Sequence, residues 1–250
     1  PQILFPVGKE GGKLRSFQAS LKNGRVTAEF STFYCEKCEI DTIYPKCEVC
    51  EGKTIKKYYC RDCQDFQNQP CHKIKIERNS GKETEKIHNS MPYIQKDLAI
   101  NHFFEHAVQK LKIKEIPSLI KGVRGTSNAD HTPENLVKGI LRAIHNLNVN
   151  KDGTIRYDMT EMPITAFRPS EIGTNIEKLK SLGYEKDIYG EEIKDNSQLI
   201  EIFPSDVIMP ACKESLDEGS DIVFVKIANF IDDLLKHFYG LKPFYNAKTK

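Results

Sequence analysis

The sequence predicts an α+β protein, a small β module built on paired cysteines followed by a mixed α/β region. Two observations carry that expectation. Seven of the eight cysteines fall between Cys35 and Cys71, and four of them form the pattern Cys35-x2-Cys38-x8-Cys47-x2-Cys50. A CxxC pair sets two thiolates on one tight turn, which suits two corners of a tetrahedron around Zn²⁺, and a second pair on a facing turn closes the site. Beyond the cysteines, apolar residues recur at helical spacing in separate segments. Short extended runs lie between them without a βαβ rhythm, which favours α+β over a doubly wound sheet. The first region is therefore expected to be zinc-ribbon-like.

The boundaries expected are an N-terminal Gly/basic loop and strand (1–30), the cysteine module (31–78), a linker (79–96) and a mixed α+β region (97–250). Residues 8–24, GKEGGKLRSFQASLKNG, read as a flexible surface loop. Gly11-Gly12 beside Lys13 and Arg15 offers a second reading, close backbone approach to a phosphate. Arg25 to Tyr34 alternates loosely and reads as a strand leading into the first CxxC. After Cys50, KTIKKYY is a short strand candidate, and Cys60-x2-Cys63-x7-Cys71 is a partial copy of the first unit. Its closing CxxC is broken, because Ile74 stands where a fourth cysteine is due. His72 or the more distant His88 could supply a nitrogen ligand. Disulfides are the rival reading, but they give no reason for repeated CxxC pairs.

Asn79 to Pro92 is polar and charged. Asp97 then reads as the N-cap of a helix through Ile100, Phe103, Phe104, Ala107, Val108 and Leu111. His102 and His106, at i and i+4, sit on its solvated face. Thr132-Pro133 opens a second helix with Leu136, Val137, Ile140, Leu141 and Ile144 as its apolar stripe. Lys138, Arg142 and His145 form a basic row beside it, and the Gly-flanked basic loop KGVRG (121–125) precedes it. Asn150 to Met159 reads as a hairpin, 174–182 as a short helix, and Leu199–Phe203 and Val207–Met209 as strands. Val223 to Phe238 is a long amphipathic helix stopped by Gly240.

Several kinds of chemistry are missing. There is no P-loop, nucleophile elbow or HExxH. Asp232-Asp233 lies within a helix where neighbours point about 100° apart, so the pair reads as surface charge, Asp232 reaching Lys236. Asp158 and Glu161 are weaker candidates, and Cys212 reads as an ordinary thiol. The net charge of +2 confines any nucleic-acid surface to a local patch. No run of 18 apolar residues and no signal pattern occurs, so a soluble, cytoplasmic location is expected.

Several segments in order, ILFPVGKEGG, KGVRGTSN, VKGILRA, KDGTIRYDMTEMPITAF, RPSEIG, IEKLKSLGY and FIDDLLKHFYGLKPFYN, resemble the large subunit of archaeal family D DNA polymerase. The resemblance spans nearly the whole chain and implies an internal fragment of a heterodimeric replicative polymerase whose small subunit carries a 3′→5′ exonuclease. It implies zinc on Cys35, Cys38, Cys47 and Cys50; the second unit, Cys60, Cys63 and Cys71 with His72 as the fourth ligand, departs from the family's paired CxxC pattern. It also implies a core of double-psi β-barrels, Mg²⁺ for nucleotidyl transfer, and as partners primer-template DNA, the small subunit and a sliding clamp. The family's catalytic Asp-Gly-Asp motif does not occur, so no catalytic residue carries over and the chain alone is expected to be inactive. Lys121, Arg124, Lys138, Arg142, Arg156 and Arg168 are the expected DNA contacts. The alternative is a free-standing, non-catalytic zinc-ribbon binding or assembly protein.

Overall fold

A computed structural model describes residues 4–79, 82–126, 128–147, 164–204, 206–209 and 219–247. In chain order the elements are α1 (Phe17–Asn23), β1 (Arg25–Ser31), β2 (Phe33–Cys35), β3 (Ile40–Thr42), β4 (Ile55–Lys56), β5 (Tyr58–Cys60) and β6 (Asp65–Gln67). Then come β7 (Ile74–Asn79), β8 (Lys82–Ile87), β9 (Ser90–Met91), β10 (Tyr93–Ala99), α2 (Ile100–Leu111) and α3 (Leu136–Ile144). The last are β11 (Ala166–Phe167), α4 (Pro169–Ile172), α5 (Ile176–Ser181), β12 (Ile200–Glu201) and α6 (Ser220–Leu234), which runs on as a π-turn at Leu235–Tyr239. The chain divides into two units, Pro1–Arg156 with Val225–Lys250, and Tyr157–Phe224. Mixed α and β structure with small antiparallel sheets is thus what the sequence forms. Among the described residues each sheet has two or three strands.

In the first unit, β1 and β10 pair along their full length, from Arg25↔Ala99 to Ser31↔Tyr93. Val26 and Phe30 point from this ribbon into a core shared with Phe5, Val7, Phe17, Ile100, Phe103, Phe104, Ile120, Leu136, Ile140 and Phe230. Phe5 meets Phe17 edge-on at 5.4 Å, and Phe17 meets Phe104 at 5.7 Å. Each such fully buried side chain contributes about 1.5–3 kcal/mol. Helix α1 lies within the segment expected to be a loop. The Ser16 hydroxyl accepts the N–H of Ala19 at 3.3 Å, and Gly24, at φ 71°, ends the helix in the left-handed conformation.

Asp97 is not a cap. It lies in β10 opposite Thr27, and its carboxylate accepts from Arg25 at 2.9 Å. Helix α2 begins instead where Ile100 N–H donates to the carbonyl of Gly24. Helix α3 starts three residues after Pro133, with Asn135 accepting from Val137 N–H at 3.0 Å. The segment expected to be a linker holds β8, β9 and most of β10, because its mostly polar sequence lacks the apolar alternation that marks a strand. Val207–Met209 belongs to no strand, and the expected 150–159 hairpin lies outside the described residues.

The 121–124 stretch threads between the N-terminal segment and the start of α1. Pro6 bridges Val123, and Ser16 bridges Lys121. Gly122 is required there, since a Cβ would stand 2.5 Å from the Phe5 carbonyl oxygen and 2.6 Å from Val7 Cγ1. In the second unit, Phe167, Leu179, Tyr184, Ile193 and Ile200 form a small core. Tyr184 stacks on Phe203 at 4.2 Å and donates its hydroxyl to Asp206 at 2.6 Å. Among the described residues no helix is long and apolar enough to cross a membrane.

Candidate metal centres and nucleic-acid surface

Three of the cysteine pairs adopt the same turn. In each, the residue after the second cysteine is left-handed, Glu39 at φ 57°, Glu51 at φ 58° and Gln64 at φ 55°. That bend folds the chain back so that both sulfurs point to one side. In the first site β2 delivers Cys35, and the hairpin to β3 carries Cys38. The facing turn is closed by Cys47 N–H donating to Gly52 O and Glu51 N–H donating to Cys47 O, both at 2.9 Å. Cys35 and Cys50 sulfurs lie 3.6 Å apart, Cys38 and Cys47 sulfurs 3.9 Å apart, and the four lie within 4.8 Å of one another. A tetrahedron with Zn–S bonds of about 2.3 Å has S···S edges of about 3.8 Å, so the donor set fits. The seven cysteines from Cys35 to Cys71 are free thiols, against the disulfide reading.

The second group is Cys60, Cys63, Cys71 and His88. His88 Nδ1 stands 3.7, 3.2 and 3.7 Å from the sulfurs of Cys60, Cys63 and Cys71. The S···N edge of a tetrahedral zinc site is about 3.6 Å, so this set fits as well. His72, the expected ligand, is exposed and outside the group. No left-handed residue follows Cys71, so no knuckle turns His72 inward. The β7–β8 hairpin returns the chain instead, with Ile74 opposite Ile87 and His88 N–H donating to Lys73 O at 2.8 Å.

Shared protons split the thiols unevenly. Cys38 is pushed up to about 12, first by its hydrogen bond with Cys50 and then by burial. Cys50 is pulled down to about 7 by the Gly52 backbone N–H and then by Cys38. Cys63 is pushed up to about 11, first by Cys60 and then by burial. Such clusters hold thiolate beside thiol, and a divalent cation takes the place of the shared protons.

The expected DNA contacts scatter. Lys121 and Arg124 are exposed. Lys138 is half-buried, its ammonium 5.3 Å over the Phe238 ring. Arg168 is exposed in the second unit and paired with Glu171 at 3.0 Å. Arg156 lies outside the described residues. Arg142 is 4% exposed. Its guanidinium grips Glu134 with two hydrogen bonds, one at 3.0 Å, so it is a core group turned away from any phosphate.

The family model described as DNA polymerase II large subunit DP2, catalytic domain, matches residues 112–250, and the model for the central domain of the same subunit matches residues 1–69. The chain belongs to the DNA polymerase II large subunit family. It is 43% identical to the DNA polymerase II large subunit of Nanoarchaeum equitans, over 99% of this chain and 22% of that relative's length. Identity to the subunits of Archaeoglobus fulgidus and Thermococcus kodakarensis is 38% and 35%, over 100% and 99% of this chain and 21% and 13% of those relatives. The chain thus spans about a fifth of the DNA polymerase II large subunits it matches. Membership disfavours the free-standing zinc-ribbon reading.

Within that family segment, two acidic features differ from the expectation. Asp232 is not a surface charge paired with Lys236. It is 8% exposed and accepts the backbone N–H groups of Phe244, Tyr245 and Asn246 at 2.7, 2.9 and 2.7 Å. Burial raises its pKa, but the three N–H donors outweigh that and hold it below the ordinary value. Asp233 instead meets His145 at 2.8 Å. The His102 face is also occupied, Nε2 lying 2.9 Å from Glu48.

Proposed function

We propose that the chain acts as part of the large, catalytic subunit of an archaeal replicative DNA-directed DNA polymerase, in which template-directed nucleotidyl transfer depends on Mg²⁺. The ordered match of the central and catalytic family models along one chain carries this reading. Zn²⁺ held by Cys35, Cys38, Cys47 and Cys50, and a second Zn²⁺ held by Cys60, Cys63, Cys71 and His88, would serve as structural clamps. The sulfur and nitrogen spacings support both. Each ion would bind four protein ligands, leaving no open position for substrate, so its contribution is to folding.

The chain's cations would meet the phosphate backbone, with Lys121, Arg124, Lys138 and Arg168 as contacts and Arg156 as a further one. The carboxylates that hold Mg²⁺, the double-psi barrel and the docking of the exonuclease subunit and sliding clamp would belong to the assembled polymerase. Primer extension tests the reading. The full-length large subunit assembled with its small subunit should extend a primed template in Mg²⁺, and this 250-residue chain alone should not. Failure of the assembled enzyme overturns the polymerase reading, and extension by the chain alone overturns the assignment of catalysis to residues outside it.

A further inference from the structure

Two Gly-flanked basic loops, about 110 residues apart in sequence, meet in the fold. Gly8 N–H donates to Arg124 O at 3.2 Å, and Gly122 N–H donates to Arg15 O at 2.9 Å. Ser16 bridges Lys121 between these points. The two basic runs therefore lie side by side. Lys9, Lys13, Lys121 and Arg124 are exposed, and Arg15 is half-buried.

These five cations stand apart from the ion-paired ones on the molecule. Arg25, Lys56, Lys75, Lys110, Arg142, Arg168 and Lys180 each have a carboxylate partner. Lys9, Lys13, Arg15, Lys121 and Arg124 have none among the described residues. The loop that carries the first three is also prebuilt. Gly11 N–H donates to Val7 O, Gly12 N–H to Lys9 O, Arg15 N–H to Gly12 O and Ser16 N–H to Gly11 O, with Gly8 and Gly12 at φ 58° and 64°. Unpaired charges on a rigid frame repel one another unless an anion joins them, and a rigid frame loses little entropy when one does.

We propose that Lys9, Lys13, Arg15, Lys121 and Arg124 form one composite site for the phosphodiester backbone of duplex DNA. The inference rests on the polymerase reading and deepens it, adding three cations to the two loop residues already named. A row of several cations beside glycine backbone suits a repeating polyanion rather than a single phosphate. Contacts to phosphate alone carry no sequence information, so binding at this site is independent of sequence.

The test uses the full-length large subunit carrying Lys9→Gln/Lys13→Gln, Lys121→Gln/Arg124→Gln, or all four. Binding of two labelled duplexes of unrelated sequence is followed by anisotropy across a salt series. Each pair should lower the slope of log K against log salt by about 2, and all four by about 4, with affinity near 0.1 M salt falling about tenfold or more per pair. Both duplexes should respond alike. The control Arg25→Gln/Lys180→Gln removes the same charge from ion-paired positions and should leave the slope near that of the unaltered subunit. Slopes unchanged in the loop variants, or lowered equally by the control, overturn the site. So does displacement of the loop by polyglutamate with no change in DNA binding, which would assign it to an acidic protein. If the unaltered subunit fails to bind duplex at all, the polymerase reading fails rather than the patch.

Discussion

Replacing Arg142 separates a core ion pair from a phosphate contact. Its side chain and that of Glu134 are 5% and 6% exposed, so Arg142→Met would leave a buried carboxylate without a partner. Breaking one side of such a pair costs about 3–5 kcal/mol. The guanidinium also lies 5.8 Å over the Phe230 ring, linking α3 to α6. In a unit of this size each kcal/mol lowers Tm by about 2–4 °C, so the variant should melt about 6–20 °C lower. The double variant Arg142→Met/Glu134→Leu removes both charges and should recover most of that loss, because two apolar side chains of similar volume carry no desolvation cost. Scanning calorimetry gives both shifts. DNA binding by folded Arg142→Met, measured well below its Tm, should keep the unaltered salt slope. A variant that melts within about 1 °C of the parent while losing DNA affinity would refute the buried-pair argument.

Three further outcomes are expected. His88→Ala should lower zinc content by about one ion per chain, while His72→Ala leaves it unchanged; plasma emission spectrometry after dialysis decides, and equal losses would remove His88 from the site. Cys47→Ser should lose the first ion and make the 35–53 knuckles protease-sensitive, since structural zinc contributes folding energy directly; full metal content with parental stability would discard the four-thiolate assignment. Asp232 has a lowered folded pKa, so the stability it contributes is present above the unfolded carboxylate value and lost as pH falls through the folded one. Protection of the Phe244, Tyr245 and Asn246 amides should accordingly hold at neutral pH and fade in acid, and Asp232→Ala should abolish it at every pH. Hydrogen exchange with unchanged protection in that variant would contradict the anchor.

What the sequence made legible was local. A CxxC pair declares its turn within four residues, and apolar spacing marks α2, α3 and α6 within two or three turns. Three misses involve partners eight or more residues away along the chain. His88 lies 17 residues beyond Cys71, just past the β7–β8 hairpin. Arg142 stands at i+4 from Lys138 and reads as part of a basic stripe, because nothing in helical periodicity reveals that Glu134 waits beneath it. Asp232 binds backbone amides 12 to 14 residues on, and no side-chain pattern encodes that. The sequence marks KGVRG as a Gly-flanked basic loop, but not that the Phe5 carbonyl, more than 100 residues away, forces the glycine at 122.

The first cysteine site owes its importance to what its second knuckle holds. Glu48 meets His102 and Glu51 meets Lys110, both on α2, and Lys110 lies 5.0 Å over the Phe238 ring. Tyr44, just before the knuckle, packs edge-on against Phe103 at 5.7 Å and donates its hydroxyl to Glu134 O. These tethers are weak in sum. Exposed ion pairs give about 0–1 kcal/mol each, and burying Tyr44 gives about 3 kcal/mol. Ordering the eight residues from Lys46 to Lys53, which bridge each other, costs about 8–16 kcal/mol of backbone entropy. About 3–13 kcal/mol is left uncovered, which the roughly 10–16 kcal/mol of a structural zinc ion is enough to supply. The tethers therefore orient the knuckle on α2, while four thiolates around a metal would keep it folded, so that removing the ion should free Glu48 and Glu51 from His102 and Lys110 while α2 stays seated in the core by Phe103, Phe104, Ala107 and Leu111.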